Sequence, residues 1–412
     1  MNYIIGMQVH FLQELEDEGI DKALSFLKTE GSVNSIFIAS QHDFLNSSGF
    51  DKLYHNEKRN EHKIDGFFFN FDQKLYESSG YKPIRCKYCN PSDKDIFKNV
   101  VEKAKNIGLK TYAMILNRWP GSDNYPDFHM RSINNQLIPK VFCANNPSVN
   151  KIYRAIIKDL LQHYDIDGIF LALLDHYVQF GFEHLTDELA YALGIKKFKT
   201  PEVGLSCFCK YCVKQARKEG INVESIKSGL LRGIKLDWIP HRVEGLSSSY
   251  ETFNFLIEVP EYLEWMRFRA KQFAKLHEEL YNFIKKIKPD SIVALNTYGP
   301  GDSWKYAVDY CKLVQYCDWV KPMFYSGTYP GLPRTPDQIR QQTHYAVEKA
   351  SNRPVISGIN GIGSAASLET IENSFRATIE GGAKGIILSW DYALIPLNHI
   401  RLFGTLVKEV MR

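Results

Sequence analysis

Short apolar runs rich in β-branched residues alternate along this chain with longer segments in which apolar positions recur at helical spacing. That alternation predicts a parallel sheet whose strands are joined by crossover helices. Eight runs read as strands, at 3–9, 34–39, 110–116, 167–174, 291–296, 319–324, 354–358 and 384–389. Start and stop signals frame several helices between them. Asn146-Pro147 opens one that runs to Tyr164, Thr335-Pro336 opens one to Ala350, and Ser92 precedes 93–107, which Gly108 ends. Eight strands with a helix after the last predict a closed (β/α)₈ barrel, a TIM barrel, rather than an open doubly wound sheet. Gly66-Phe67-Phe68-Phe69-Asn70-Phe71 is a further strand candidate. If it belonged to the barrel, every later strand would move up by one.

Two connections are too long for plain turns: 40–91 after strand 2 and 175–258 after strand 4. Loops beyond about 12–15 residues are usually functional or disordered, and both fall on the C-terminal face of a barrel, where active sites lie. The expected organisation is one barrel domain over 1–412, with a loop or helical insertion at about 175–258.

Composition narrows the function classes. Of 412 residues 44% are hydrophobic and 13% aromatic, enough for a large core and for stacking on a sugar. A formal charge of +4 is too balanced to point to nucleic acid or a membrane surface. Met1 leads straight into Tyr3–Val9 without a basic or long apolar leader, so the expected address is the cytoplasm. Eight cysteines then read as thiols or metal ligands rather than disulfides. Oligomeric state is open, and a homo-oligomer is compatible with the chain.

Cys207-Phe208-Cys209-Lys210-Tyr211-Cys212 places three thiols in one short turn, as structural zinc sites do. The fourth ligand is either Cys143, or Cys86 and Cys89 together replace part of the set. A structural zinc ion is the expected cofactor, with no organic one. Cys311 and Cys317 read as core residues.

The sequence resembles a group of glycoside hydrolases with barrel catalytic domains. The matching pieces are Phe69-Asn70-Phe71-Asp72 with Tyr76 and Tyr81-Lys82-Pro83, Ala104–Lys110, and Cys143-Ala144-Asn145-Asn146-Pro147. They continue with Tyr164–Leu171, the Cys207–Cys212 cluster, Trp265 with Phe268-Arg269, and Val320–Tyr325. A zinc-containing β-galactosidase family is similar around the cysteine cluster, with one further cysteine upstream, which implies Cys143 as the fourth ligand. Relatives with the Asp167-Gly168-Ile169 signature place a carboxylate four residues after the glycine; here Ala172 stands there. Loss of the group, an inactivated variant, or takeover by Asp175 are all compatible with that departure.

Glycoside hydrolysis needs two carboxyls about 5–9.5 Å apart. Asp175 after strand 4 and Asp391 after strand 8 are the leading candidates, followed by Asp302 after strand 5 and by Glu258, Glu251 and Glu183 in the strand-4 loop. Polar groups at the strand ends, expensive to bury unpartnered, predict a surround for sugar hydroxyls: Gln8, His10, Gln41, His42, Asp72, Asn117, Arg118, Asn296, Tyr298, Lys321, Tyr325 and Asn360. Trp119, Trp304 and Trp390 are candidate stacking platforms. Strand 7 ends in Asn360 rather than Glu, against the common retaining arrangement. The expected ligand is an oligosaccharide or glycoside, handled by a glycosidase. Two alternatives stay open: a catalytically silent sugar-binding barrel, and a lyase or aldolase with Lys321 as Schiff-base amine and the turn Gly358–Gly363 cradling phosphate.

Overall fold

The computed structural model describes residues 3–44, 64–87, 94–173, 207–235, 257, 259–301, 303, 307–327, 334–363 and 365–410. Eight parallel strands form the barrel: β1 (Ile4–Val9), β2 (Ser35–Ala39), β3 (Lys110–Leu116), β4 (Gly168–Ala172), β5 (Ile292–Thr297), β6 (Trp319–Pro322), β7 (Ser357–Asn360) and β8 (Gly385–Ser389). Each pairs with its chain neighbour, and β8 pairs with β1. Closure comes between β6 and β7, through the bridges Val320–Val355 and Met323–Gly358 and the bond from Ile356 N to Val320 O (2.8 Å).

The predicted strands fall within a few residues of these. Gly66–Phe71 is not a barrel strand. Ile64–Phe67 instead pairs antiparallel with Gln41–Phe44, outside the barrel sheet, because Gly66 (φ +154°) lets the backbone of Arg85 and Cys86 press against it. A second hairpin, His129–Arg131 with Leu137–Phe142, follows β3 and was not expected. Helix Pro147–His163 is capped by Asn146, and helix Pro336–Lys349 by a Thr335–Gln338 capping box. The helix before β3 starts at Ile96, capped by Asp95, three residues later than Ser92 suggested.

Alternate residues of each strand point into a barrel. The N-terminal half of the interior is an aromatic plug. Phe37 lies 5.0 Å from the Tyr112 ring, 4.9 Å from Phe170 and 5.7 Å from Trp319, and Gly6 leaves room for it, since a Cβ there would come within 2.6 Å of Phe37. Two residues further along β1, β3, β4 and β6, the same inward face carries Gln8, Met114, Ala172 and Lys321. The barrel is therefore apolar below and polar at its mouth. Among the described residues no helix is long and apolar enough to cross a membrane.

Candidate active site at the barrel mouth

Lys321 is fully buried, and its Nζ donates to Tyr325 OH (2.6 Å) and to Gln8 Oε1 (3.2 Å). Gln8 Oε1 also accepts from Ser389 Oγ (2.8 Å), and Gln8 Nε2 reaches Met114 Sδ (3.5 Å). One polar chain thus ties together β1, β3, β6 and β8 across the interior. Gly358 on β7 makes way for the lysine: a Cβ there would stand 2.3 Å from Lys321 Cε. Burial holds the Lys321 ammonium well below the ordinary lysine range.

His10 follows β1 with both ring nitrogens buried and without a hydrogen-bond partner. Burial first, and Lys321 second, lower its pKa to about 3, so the ring is neutral near pH 7. It lies 5.2 Å from the half-buried Trp390 ring and 5.7 Å edge-on to His42. Asn296 on β5 gives Nδ2 to Met323 Sδ (3.7 Å), while its buried Oδ1 has no partner. Tyr298 and Arg118 are buried at the ends of β5 and β3, and the Arg118 guanidinium donates to Asn117 O (2.8 Å).

Asp391 is completely buried at the end of β8. Oδ1 accepts from His10 N (2.5 Å) and Oδ2 from Ala393 N (3.0 Å), where it caps the short turn Tyr392–Leu394. Its burial raises its pKa to about 7 against those stabilising backbone bonds. In this structure the carboxylate orients His10 and faces backbone. Expected in a catalytic role, Asp391 stands at the mouth with both oxygens accepting backbone N–H bonds.

Other expectations are corrected. Asp72 is exposed and caps helix Gln73–Tyr76; its N–H donates to Asp159 Oδ2 (2.9 Å), near the end of the helix that runs down to the start of β4. It therefore stands outside the barrel and away from the mouth. Trp119 is core, stacked on Phe142 at 5.6 Å. The Gly358–Gly363 turn offers no phosphate cradle: Gly361 N donates to Ser389 O, Ile362 N to Asn360 Oδ1 (3.0 Å) and Gly363 N to Leu394 O (3.1 Å). Asn360 is accordingly occupied in holding that turn. Gln41 spends its amide on Leu116 O (2.7 Å). Ala172 closes the inward face of β4 with no ionisable atom. Asp175, Glu183, Glu251, Glu258, Asp302, Trp304 and Cys89 lie outside the described residues. Gln13, buried in the first turn after β1 with an unpartnered Oε1, was missed, because on paper it reads as an ordinary helix-surface amide.

Beside the mouth, the sulfurs of Cys143, Cys207, Cys209 and Cys212 all lie within 4.8 Å of one another, and all four residues are buried. Cys143 closes the second hairpin, Cys207 and Cys209 lead into helix Lys210–Lys218, and Cys212 stands in its first turn. Arg131 N (3.3 Å) and Cys209 N (3.4 Å) donate to Cys207 Sγ, and Asn145 Nδ2 (3.3 Å) and Arg269 Nη1 (3.5 Å) to Cys212 Sγ. Hydrogen bonds from its three neighbours pull Cys209 far below the ordinary thiol range, while their bonds to Cys143, and burial at Cys207, push those two up. Four converging sulfurs, each cationic or N–H donor aimed at a sulfur, fit a soft tetrahedral ion. Cys86 is elsewhere, its backbone bonded to Phe67.

A family model described as β-galactosidase, glycoside hydrolase family 42, matches residues 252–367, the stretch that holds β5, β6 and β7. The glycoside hydrolase domain of PgaB (BpsB) from Bordetella bronchiseptica superposes with a TM-score of 0.61 at 13% identity, covering 99% of both chains. The chain has the fold of barrel glycoside hydrolases. α-L-Fucosidase isoenzyme 2 from Paenibacillus thiaminolyticus gives 0.56 at 16% identity, over 100% of this chain and 49% of that one. A cold-adapted β-galactosidase from Rahnella sp. R3 gives 0.58 at 12%, over 100% of this chain and 57% of that one. The chain thus spans about half the length of the fucosidase and somewhat more of the galactosidase. No curated protein matches the sequence.

Proposed function

We propose that the protein hydrolyses a glycosidic bond at the C-terminal mouth of the barrel. The observation that carries this reading is the set of buried, unpartnered acceptors and donors there, His10 Nδ1 and Nε2 and Asn296 Oδ1, beneath the half-buried Trp390. Such groups cost free energy in the empty protein, and the hydroxyls of a pyranose supply partners to both kinds. The family match over β5–β7 and the glycosidase folds of the neighbours support the same chemistry.

In the reaction one carboxylic acid protonates the leaving oxygen, while a carboxylate attacks the anomeric carbon or takes a proton from the attacking water. We assign the pair to Asp175, three residues past Ala172, and either Asp302 or Glu258. Trp390 stacks on the ring and Asp391 holds His10 toward it. Assays on aryl glycosides and oligosaccharides should find turnover, and Asp175→Asn or Asp302→Asn should lower kcat by about 100- to 10,000-fold. No turnover by the parent chain, and none after Ala172→Asp, would overturn the hydrolase reading.

One observation favours a second reading, a sugar-binding barrel without turnover: the inward end of β4 is Ala172. In that case sugars bind in the mouth and no bond is cleaved.

For the cysteine cluster we propose a structural zinc ion that pins the hairpin after β3 to the return of the strand-4 insertion. The four-sulfur donor set supports it.

A further inference from the structure

The barrel interior holds a buried amine that, among the described residues, has no anion bonded to it. Lys321 Nζ has three N–H donors when protonated, and its two acceptors, Gln8 Oε1 and Tyr325 OH, are both neutral. Among the described residues no carboxylate oxygen bonds to it. Asp391 is committed to the backbone of His10 and Ala393. Among the described residues the groups against the amine are uncharged: Gln8 Oε1, Tyr325 OH and its ring, 4.9 Å from Nζ, and Gly358; Met114 and Ser389 bond to Gln8 behind it, and His10 nearby is neutral. A buried ammonium without a counter-ion is costly, so such an amine either gives up its proton or is supplied with a carboxylate. The inward position on β4 where one could stand is Ala172.

We propose that the counter-ion arrives with the ligand: the mouth takes acidic saccharides of the uronate class, whose carboxylate accepts from Lys321 Nζ and Tyr325 OH. This deepens the carbohydrate reading above and rests on it. Of the pair, Lys321 is fully buried and Tyr325 keeps 7% of its surface exposed. Neutral His10 and the Asn296 amide then serve the ring hydroxyls. A phosphorylated ligand fits less well, because the N–H groups of Gly361, Ile362 and Gly363 are already spent. The lowered proton affinity of Lys321 agrees with an amine whose partner is absent.

The test is calorimetric binding of 4-nitrophenyl D-glucuronide and D-galacturonide, in both anomers, against the matching glucoside and galactoside, which differ only at C6. Binding of an acidic sugar about tenfold or more tighter than its neutral twin is expected. The preference should vanish in Lys321→Met, which removes the cation, and in Ala172→Asp, which supplies an internal anion; thermal unfolding checks that each variant folds. Neutral twins binding as tightly as acidic ones in the parent, or a preference that survives in either folded variant, would overturn the proposal and leave the carbohydrate reading standing. If neither class binds, the carbohydrate reading itself falls, and the proposal falls with it.

Discussion

Two residues at the mouth titrate in opposite senses, and their balance is measurable. Asp391 has a folded pKa raised to about 7, so its contribution is greatest at low pH and is lost as pH rises from about 4 through 7. His10, like the buried His277 of helix Pro260–Ile287, has a lowered folded value (about 3 and about 4), so each adds stability as pH rises toward 6.5. Between pH 4 and 6.5 the carboxyl therefore opposes the imidazoles. In Asp391→Asn the unfolding midpoint should climb more steeply with pH over that window than in the parent. At pH 7 the variant should also lose about 1–3 kcal/mol, because an amide nitrogen cannot accept one of the two backbone N–H bonds. Thermal unfolding from pH 4 to 8 checks both. At this scale the sequence was legible only in part. His10, Asn296, Lys321 and Tyr325 do gather at the strand ends, since inward parity in a short strand follows from alternation alone. Asp391 also falls at the mouth, but its role depends on which atoms its oxygens face, and that is decided by the fold of the β8 loop around His10. Asp72 was misplaced because a carboxylate after an aromatic run reads alike on a barrel rim and on an outer helix cap.

Among the elements, the barrel strands were readable because each is short and largely buried, and several are followed or preceded by capped helices. The two hairpins were not, since Gln41–Phe44 and His129–Arg131 are polar and short, and residues 45–63 separate the first from its partner. The cysteine turn was recognisable by spacing, but the fourth sulfur could be settled only in three dimensions, where Cys143 and not Cys86 meets the other three. Helix Lys210–Lys218 and the hairpin ending at Phe142 share little besides this cluster and a small apolar core around Phe208 and Trp265, whose rings stack at 4.3 Å. Metal removal should therefore loosen this flank selectively. Elemental analysis should find one zinc per chain. Chelation or Cys212→Ser should speed amide exchange in the hairpin and helix while β1 and β2 stay protected; equal protection throughout would remove the structural role.

For the molecule as a whole, the two ends of the barrel are built for different purposes. The lower interior is a closed aromatic packing of Phe37, Tyr112, Phe170 and Trp319, which supplies stability. The upper interior leaves polar atoms buried and unsatisfied, a loss of stability that a ligand can restore. The central claim is that this deficit exists for a sugar. His10→Phe is the sharpest variant, because a flat aromatic ring of somewhat larger size is kept, the backbone bond to Asp391 is untouched and the two unpartnered nitrogens are removed. An unfolding midpoint raised by about 1–4 °C is expected, together with weakened saccharide binding. A lowered midpoint with saccharide binding unchanged would contradict it.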